Sequence, residues 1–162
     1  MIHGYAVDGG VLLSELLERD RVRIPLQGQT KDEVLRELVE LATQGRDATV
    51  VTAVLKAVRE RERWMSTGIG GGIAIPHGKT TELDRLIMAA GVTREPIEYD
   101  ALDGRPVQLF FLLVGPERAA GAHVKALSRI SRLMRRGMLR EDLRGAATED
   151  RFLAIVRSAE AA

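Results

Sequence analysis

Apolar side chains recur at three- and four-residue intervals over four stretches of the chain, which is the spacing of helices that bury one face. The first stretch follows Thr30 and Glu33, which have the spacing of a capping box. Gly137 is expected to end the third stretch. The pattern predicts helices after Thr30, after Asp47, from Gly121 to Arg136 and after Thr148, with a shorter helix at 12–17.

Other stretches have the pattern of strands. Residues 86–93 and 107–114 are apolar nearly throughout, which is typical of strands buried on both faces, so we expect both at the centre of a sheet. Residues 22–24 alternate as a short strand does, and Pro25 limits further pairing. Since strands and helices interleave, the chain is predicted to be an α/β three-layer sandwich, with a mixed central β-sheet of about five strands flanked by helices on both faces.

The length of 162 residues and the 45% hydrophobic content fit one substantial core. We therefore expect residues 1–10 to be a flexible lead-in and residues 11–162 to be a single domain. The sequence contains no cysteine, which excludes disulfides and thiolate chemistry. With neither a leader pattern nor an apolar run of roughly 18 residues, the chain is expected to be cytoplasmic and not inserted in a membrane.

The charge pattern argues against a nucleic-acid partner. The 24 basic and 23 acidic residues nearly cancel, so no overall field attracts a polyanion. A basic stripe on the third predicted helix lacks interleaved aromatic residues and is interpreted as a solvated face. Its members are Arg129, Arg132, Arg135 and Arg136.

The segment from Ser66 to Thr80 carries the candidate chemistry. Four glycines occupy five positions at 68–72, and such a loop is either a flexible connection or a backbone that can bring amides close to an anion. Residues 73–75 have the composition of a short strand, and Pro76 fixes its own φ and keeps the preceding residue extended. His77 is therefore expected at a strand end, on a rigid mount.

Two nucleotide-binding motifs were compared with this segment. The dinucleotide fingerprint requires a third glycine that is absent here and a preceding strand, whereas a helix is predicted before the segment. A phosphate-binding P-loop would end in Gly78-Lys79-Thr80, but Gly72 lies one residue too far upstream. Pro76 would also remove an amide donor from the loop. Neither motif fits.

The remaining interpretation is that a histidine is itself the nucleophile. The chain has only His3, His77 and His123, with no pair at helical spacing, so we expect neither a metal nor a cofactor. A neutral imidazole can accept a phosphoryl group on one ring nitrogen while the other nitrogen is held as a donor. Glycine amides and a nearby cation could compensate the charge of the transferred group.

These residues resemble the enzyme IIA domains of the fructose, mannitol and nitrogen-regulatory class in the bacterial phosphotransferase system. The resemblance covers most of the chain, and its central motif is specific. It implies that His77 is phosphorylated on Nε2 by the phosphohistidine of the small carrier HPr or its nitrogen-branch relative. The matching segments are Lys31–Leu35, Arg61–Glu62, Ser66–Gly70, Gly72–Gly78 and Leu112–Val114 leading to His123.

The resemblance also implies supporting residues. Arg61 matches the active-site arginine of the family, although by position alone it could be a solvated charge at a helix end. His123 matches the second histidine, although a partly buried structural histidine would look the same. Ser66, Thr67 and Gly78 are secondary phosphate-binding candidates. Trp64, with Met65, precedes the motif where a docking protein would land, or simply packs the helix end.

The predicted function is a phosphohistidine carrier, and therefore a phosphotransferase component. In a transport role, His77 would pass its group to a separate enzyme IIB partner. In a regulatory role, its phosphorylation state would change binding to a target protein. The residues of the motif favour the nitrogen-regulatory branch over the fructose-specific one. The alternative is a non-enzymatic anion-binding or protein-interaction module in which His77 is never phosphorylated.

Overall fold

The computed structural model describes residues 11–161, so the predicted lead-in at 1–10 and Ala162 lie outside the described residues. Two short 3-10 turns occupy Arg19–Arg21 and Glu117–Ala119. The helices are α1 (Leu13–Leu16), α2 (Lys31–Ala42), α3 (Ala48–Trp64), α4 (Ala120–Leu133), α5 (Gly137–Arg144) and α6 (Glu149–Ala161). The strands are β1 (Val22–Leu26), β2 (Gly68–Gly70), β3 (Ile73–Ala74), β4 (His77–Thr80), β5 (Ile87–Ile97) and β6 (Val107–Pro116).

The strands form one mixed sheet in the order β1-β5-β6-β3-β2, with β4 also paired to β6. β5 and β6 are antiparallel neighbours at the centre, as predicted from their continuous apolar sequences. β3 and β4 run parallel to β6 and follow one another along the same edge of it. The predicted α/β class and mixed sheet are confirmed.

Alternate residues of β6 enter two different cores, which makes the fold three layers. Leu109, Phe111 and Leu113 pack with α1, α4, α5 and α6 on one face of the sheet. Phe110 and Leu112 point to the other face and pack with α2 and α3. Because successive side chains of a strand point to opposite faces, an unbroken apolar strand joins both cores.

Three predicted helix starts have their caps. The Thr30 hydroxyl accepts the N–H of Glu33 at 3.2 Å, and the Asp47 carboxylate accepts the N–H of Val50 at 3.1 Å. Thr148 caps α6 by accepting the N–H of Arg151. These local bonds satisfy amides that a helix start otherwise leaves unpaired, so they could be predicted from sequence.

The prediction of one helix from 121 to 136 was wrong at its C-terminal end. α4 stops at Leu133, and Gly137 begins α5 instead of ending a helix. The turn between them lets Leu139 and Leu143 of α5 reach the same core as α4. The basic stripe is also not wholly solvated, because Arg129 pairs with the buried carboxylate of Glu160, with 2.8 Å between Nε and Oε2.

Candidate functional site

His77 was expected at the end of the short strand 73–75. In the structure it is the first residue of the next strand, β4. Strand β3 ends at Ala74 and β4 begins at His77, which lies beside Leu113 of β6. Ile73 and Ile75 face the core that includes α4. By strand alternation, the His77 ring points to this same side of the sheet.

The His77 ring has a defined tautomer. Its Nδ1 lies 2.9 Å from the carbonyl oxygen of Ile75. Since a carbonyl only accepts hydrogen bonds, Nδ1 carries the proton in the neutral ring, and Nε2 keeps a free lone pair. Half-burial lowers the His77 pKa, as do the charges of Arg61 and Lys79, against the opposing effects of the Ile75 carbonyl and Glu62. The ring is thus a neutral nucleophile near pH 7.

His123 lies against His77, with 5.7 Å between ring centroids. It sits in the first turn of α4 and is only 2% exposed. Neither of its ring nitrogens has a hydrogen-bond partner within residues 11–161. Burial, with smaller contributions from His77 and Lys79, lowers the pKa of His123 to about 4. The site therefore contains, beside His77, a buried imidazole that is neutral near pH 7.

The low pKa of His123 predicts acid sensitivity. The unfolded chain binds this proton near pH 6.5 and the folded protein only near pH 4, so stability is lost as the pH falls through that window. We expect the free energy of unfolding to fall by up to about 3 kcal/mol more in wild type than in His123→Gln. Urea unfolding of both proteins from pH 7 to 4 measures the difference, and parallel profiles would contradict it.

Arg61 reaches the site from the last turn of α3. Its Nη1 donates to the carbonyl oxygen of Met65 at 2.6 Å, and its guanidinium carbon lies 5.4 Å from the centre of the Trp64 ring. The positive charge of Arg61 contributes to the lowered pKa of His77. Trp64 itself is 78% exposed, and Met65 beside it is also exposed. The charge of Arg61 thus acts on His77, and an exposed apolar surface lies next to Arg61.

Lys79 was not among the residues singled out from the sequence. It follows His77 by two residues on β4, and its charge lowers the pKa of both histidines. The signal that could have found it is strand alternation, which places residues i and i+2 on one face. Lys79 is thus a second cation on the face that carries His77.

The two hydroxyl candidates are engaged elsewhere. The Ser66 hydroxyl accepts the N–H of Gly68 at 3.1 Å. Thr67 is buried, and its hydroxyl donates to the Glu62 carboxylate at 2.5 Å. In this arrangement both side chains shape the turn between α3 and β2.

Gly78 is required by packing. A Cβ atom there would lie 3.0 Å from the backbone nitrogen of Val58 and 3.1 Å from the carbonyl carbon of Ala57. Its missing side chain therefore lets α3, which carries Arg61, lie directly against β4, which carries His77.

The glycine cluster does not surround His77. Gly70, Gly71 and Gly72 have φ values of 100°, 70° and 80° and form the turn between β2 and β3. The Gly71 N–H donates to Asp103, and Arg144 donates to the Gly71 carbonyl. This turn lies beside the start of β6, five residues from the partner of His77, or about 16 Å along the strand. Of the two interpretations left open for the glycine cluster, this placement favours a connecting turn.

Residues 11–161 contain no cluster of three or more histidine or acidic side chains placed to hold a metal ion. Over the same part of the chain, none of the helices has the length and apolarity needed to span a bilayer.

Residues 15–159 match the family described as phosphoenolpyruvate-dependent sugar phosphotransferase system, EIIA 2. A fructose-specific EIIABC component of Bacillus subtilis is 34% identical over 144 residues, which are 89% of this chain but 23% of that longer protein. A nitrogen regulatory protein of Bradyrhizobium diazoefficiens is 35% identical over 125 residues, covering 76% of this chain and 80% of that one.

The fold is also similar to that of a solved structure. The nitrogen regulatory protein IIA-Ntr from Neisseria meningitidis superposes with a TM-score of 0.81 at 30% sequence identity. The superposition covers 89% of this chain and 98% of the other.

Proposed function

The chain belongs to the EIIA 2 family of the phosphoenolpyruvate-dependent sugar phosphotransferase system, whose domains are phosphotransferase components that carry phosphohistidine, and we propose that His77 is its phosphorylated residue. The observation that carries this proposal is the bond from Nδ1 of His77 to the Ile75 carbonyl. It leaves Nε2 as the unprotonated, nucleophilic nitrogen, beside His123, whose ring nitrogens have no hydrogen-bond partner among residues 11–161.

The transfer is an in-line displacement between two nitrogens. The lone pair of Nε2 forms a bond to phosphorus as the P–N bond of the donor phosphohistidine breaks, and the donor ring nitrogen recovers the bonding pair. The proton on Nδ1 stays in place throughout. Arg61 and Lys79 compensate the charge of the phosphoryl oxygens, and His123 offers them a ring N–H.

The secondary candidates Ser66, Thr67 and Gly78 shape the backbone around the site. Gly78 keeps α3 against β4, and Ser66 and Thr67 hold the turn that leads from Arg61 toward β2. We assign these three residues to the geometry of the site, with the charge compensation left to the two cations and His123.

EIIA domains interact with EIIB domains and HPr-type donors. For this chain we propose phosphorylated HPr or its nitrogen-branch relative as donor, docking over Trp64 and Met65, which are exposed beside Arg61. The acceptor is an enzyme IIB protein or a regulatory target. Similarity to nitrogen regulatory proteins supports the regulatory role, in which the added charge changes binding to the target.

The experiment is incubation with phosphoenolpyruvate, enzyme I and HPr, or the nitrogen-branch counterparts, followed by intact mass at neutral and acidic pH. We expect one added phosphoryl mass that is lost in acid, as a phosphohistidine is. An unlabelled protein, under conditions where a known enzyme IIA is labelled, would contradict the carrier function and favour the binding module without phosphorylation.

Arg61→Gln should slow phosphoryl acceptance by about 10²-fold, because one preorganised charge is removed from the transition state. The fold should be retained, since the partners of Arg61 are a carbonyl and an exposed ring. Single-turnover transfer from the phosphorylated carrier measures the rate. Arg61→Lys is the matched variant, because it keeps the charge but loses the planar fork of the guanidinium. Its transfer rate should lie between the rates of wild type and Arg61→Gln. Wild-type rates in Arg61→Gln would remove this role.

A further inference from the structure

Glu62 is a buried carboxylate, 7% exposed, next to Arg61 at the end of α3. One oxygen accepts the backbone N–H of Thr67 at 2.8 Å and lies 2.9 Å from the ammonium of Lys31. The other accepts the hydroxyls of Thr67 at 2.5 Å and Tyr99 at 3.1 Å. A buried carboxylate with four donors is fully satisfied and holds those donors in one arrangement.

Two further hydrogen bonds connect this carboxylate to the nucleophile. The carbonyl of Thr67, the residue fixed by Glu62, accepts the N–H of Ile75 at 3.0 Å. The carbonyl of Ile75 in turn accepts Nδ1–H of His77 at 2.9 Å. The position of the Ile75 carbonyl, and with it the His77 ring, is therefore tied to Glu62 through Thr67.

The Glu62 carboxylate also fixes the end of α3, which carries Arg61. Arg61 precedes it on α3 and donates to Met65, which lies in the short link from α3 to Thr67. Two hydrogen bonds that Thr67 donates to Glu62 close that link and set the end of the helix relative to the strand that follows. The positions of the Arg61 guanidinium and the His77 imidazole thus both depend on the Glu62 carboxylate.

We infer that Glu62 is a positioning residue: by holding Thr67 against the end of α3, it sets the orientation and the Nδ1–H tautomer of His77. Its effect on transfer rests on the proposed function, whereas its effect on the ring does not. Replacing a side chain that orients a reacting histidine through intervening hydrogen bonds commonly changes activity by about 10-fold or more.

Glu62→Gln is the test variant, because it keeps the shape but removes the charge and half of the accepting capacity. We expect long-range ¹H–¹⁵N spectra of the His77 ring to change from one tautomer to a mixture that includes Nε2–H. The His77 pKa should also fall, because the Glu62 charge raises it in wild type. The transfer rate constant from the phosphorylated carrier should drop by about 10-fold, with less change in KM.

Glu37→Gln is the matched control. Glu37 is equally buried, at 8% exposed, and its carboxylate also accepts backbone N–H groups, those of Gln27 and Gly28, while pairing with Arg23. Both variants should lose stability to a similar extent in urea. Glu37→Gln should leave the His77 tautomer, its pKa and the transfer rate unchanged.

An unchanged His77 tautomer in Glu62→Gln, with stability lost as in Glu37→Gln, would overturn the inference and leave Glu62 a structural residue. Glu62→Asp separates charge from position, because it keeps the charge but is one methylene shorter. If Glu62→Asp restored both the tautomer and the rate, charge alone would explain the effect, which also overturns the inference. Absence of wild-type phosphorylation would reject the proposed function, and the ring spectra would still decide the role of Glu62.

Discussion

His77→Ala should accept no phosphoryl group at all, because the variant removes the only atom proposed to form the P–N bond. Intact mass after incubation with the phosphorylated carrier should show the unmodified chain at neutral pH, where wild type carries the added mass. The side chain is half-buried at the start of β4, so its truncation should leave the fold intact by circular dichroism. This is the largest functional effect expected from a single substitution.

His123→Gln is the control for this result. It removes the other imidazole of the pair, which contacts the His77 ring from α4. The variant should still acquire the acid-labile mass, only more slowly, because His123 supports transfer without receiving the group. A label that persists in His77→Ala and disappears in His123→Gln would exchange the two assigned roles.

Gly78→Val should produce the largest loss of stability among the site variants. The added Cβ would lie 3.0 Å from the backbone of α3, and the two further methyl groups must enter the same interface. Since a backbone cannot rotate away as a side chain can, α3 must shift from β4, at an expected cost of about 2–3 kcal/mol. Urea unfolding measures this loss, and slower phosphoryl acceptance should accompany it because Arg61 moves with α3.

Gly121→Ala is the matched control for an added methyl group. Apart from its chain neighbours and the backbone of its own helix, no atom of residues 11–161 lies within 4 Å of a Cβ built at Gly121, which belongs to the first turn of α4. Alanine there should be neutral or stabilising by up to about 1 kcal/mol, because it favours the helix. Equal stabilities of Gly78→Val and Gly121→Ala would show that α3 is not held against β4 as described.

The parts of the fold that follow from local chemistry were predictable. The caps at Thr30 and Asp47 each pair with an amide three residues on, and the continuous apolar sequences of β5 and β6 specify burial on both faces. His77 could be singled out because Pro76 and the short strand before it restrict the backbone. These signals lie within a few residues of the feature that they predict.

The position of the glycine turn relative to His77 could not be predicted, because the partners of the turn are remote in sequence. Asp103 and Arg144, which hold Gly71, are separated from it by 32 and 73 residues. Nothing in the local pattern indicates that these amides face a carboxylate at the opposite end of the sheet edge. The role of Glu62 was missed for a related reason, since it depends on remote partners, Lys31 and Tyr99. Lys79, by contrast, could have been found from strand alternation.

The central strand β6 makes the unfolded chain prone to aggregation. From Val107 to Val114 it carries no charge and is rich in residues that favour strands, a composition typical of segments that stack into fibrils. In the folded protein β5 covers one of its edges, and β3 and β4 cover the other. Pro106 and Pro116 flank the segment and disfavour longer stacking. The strand that presents His77 therefore also covers the end of an aggregation-prone stretch of the chain.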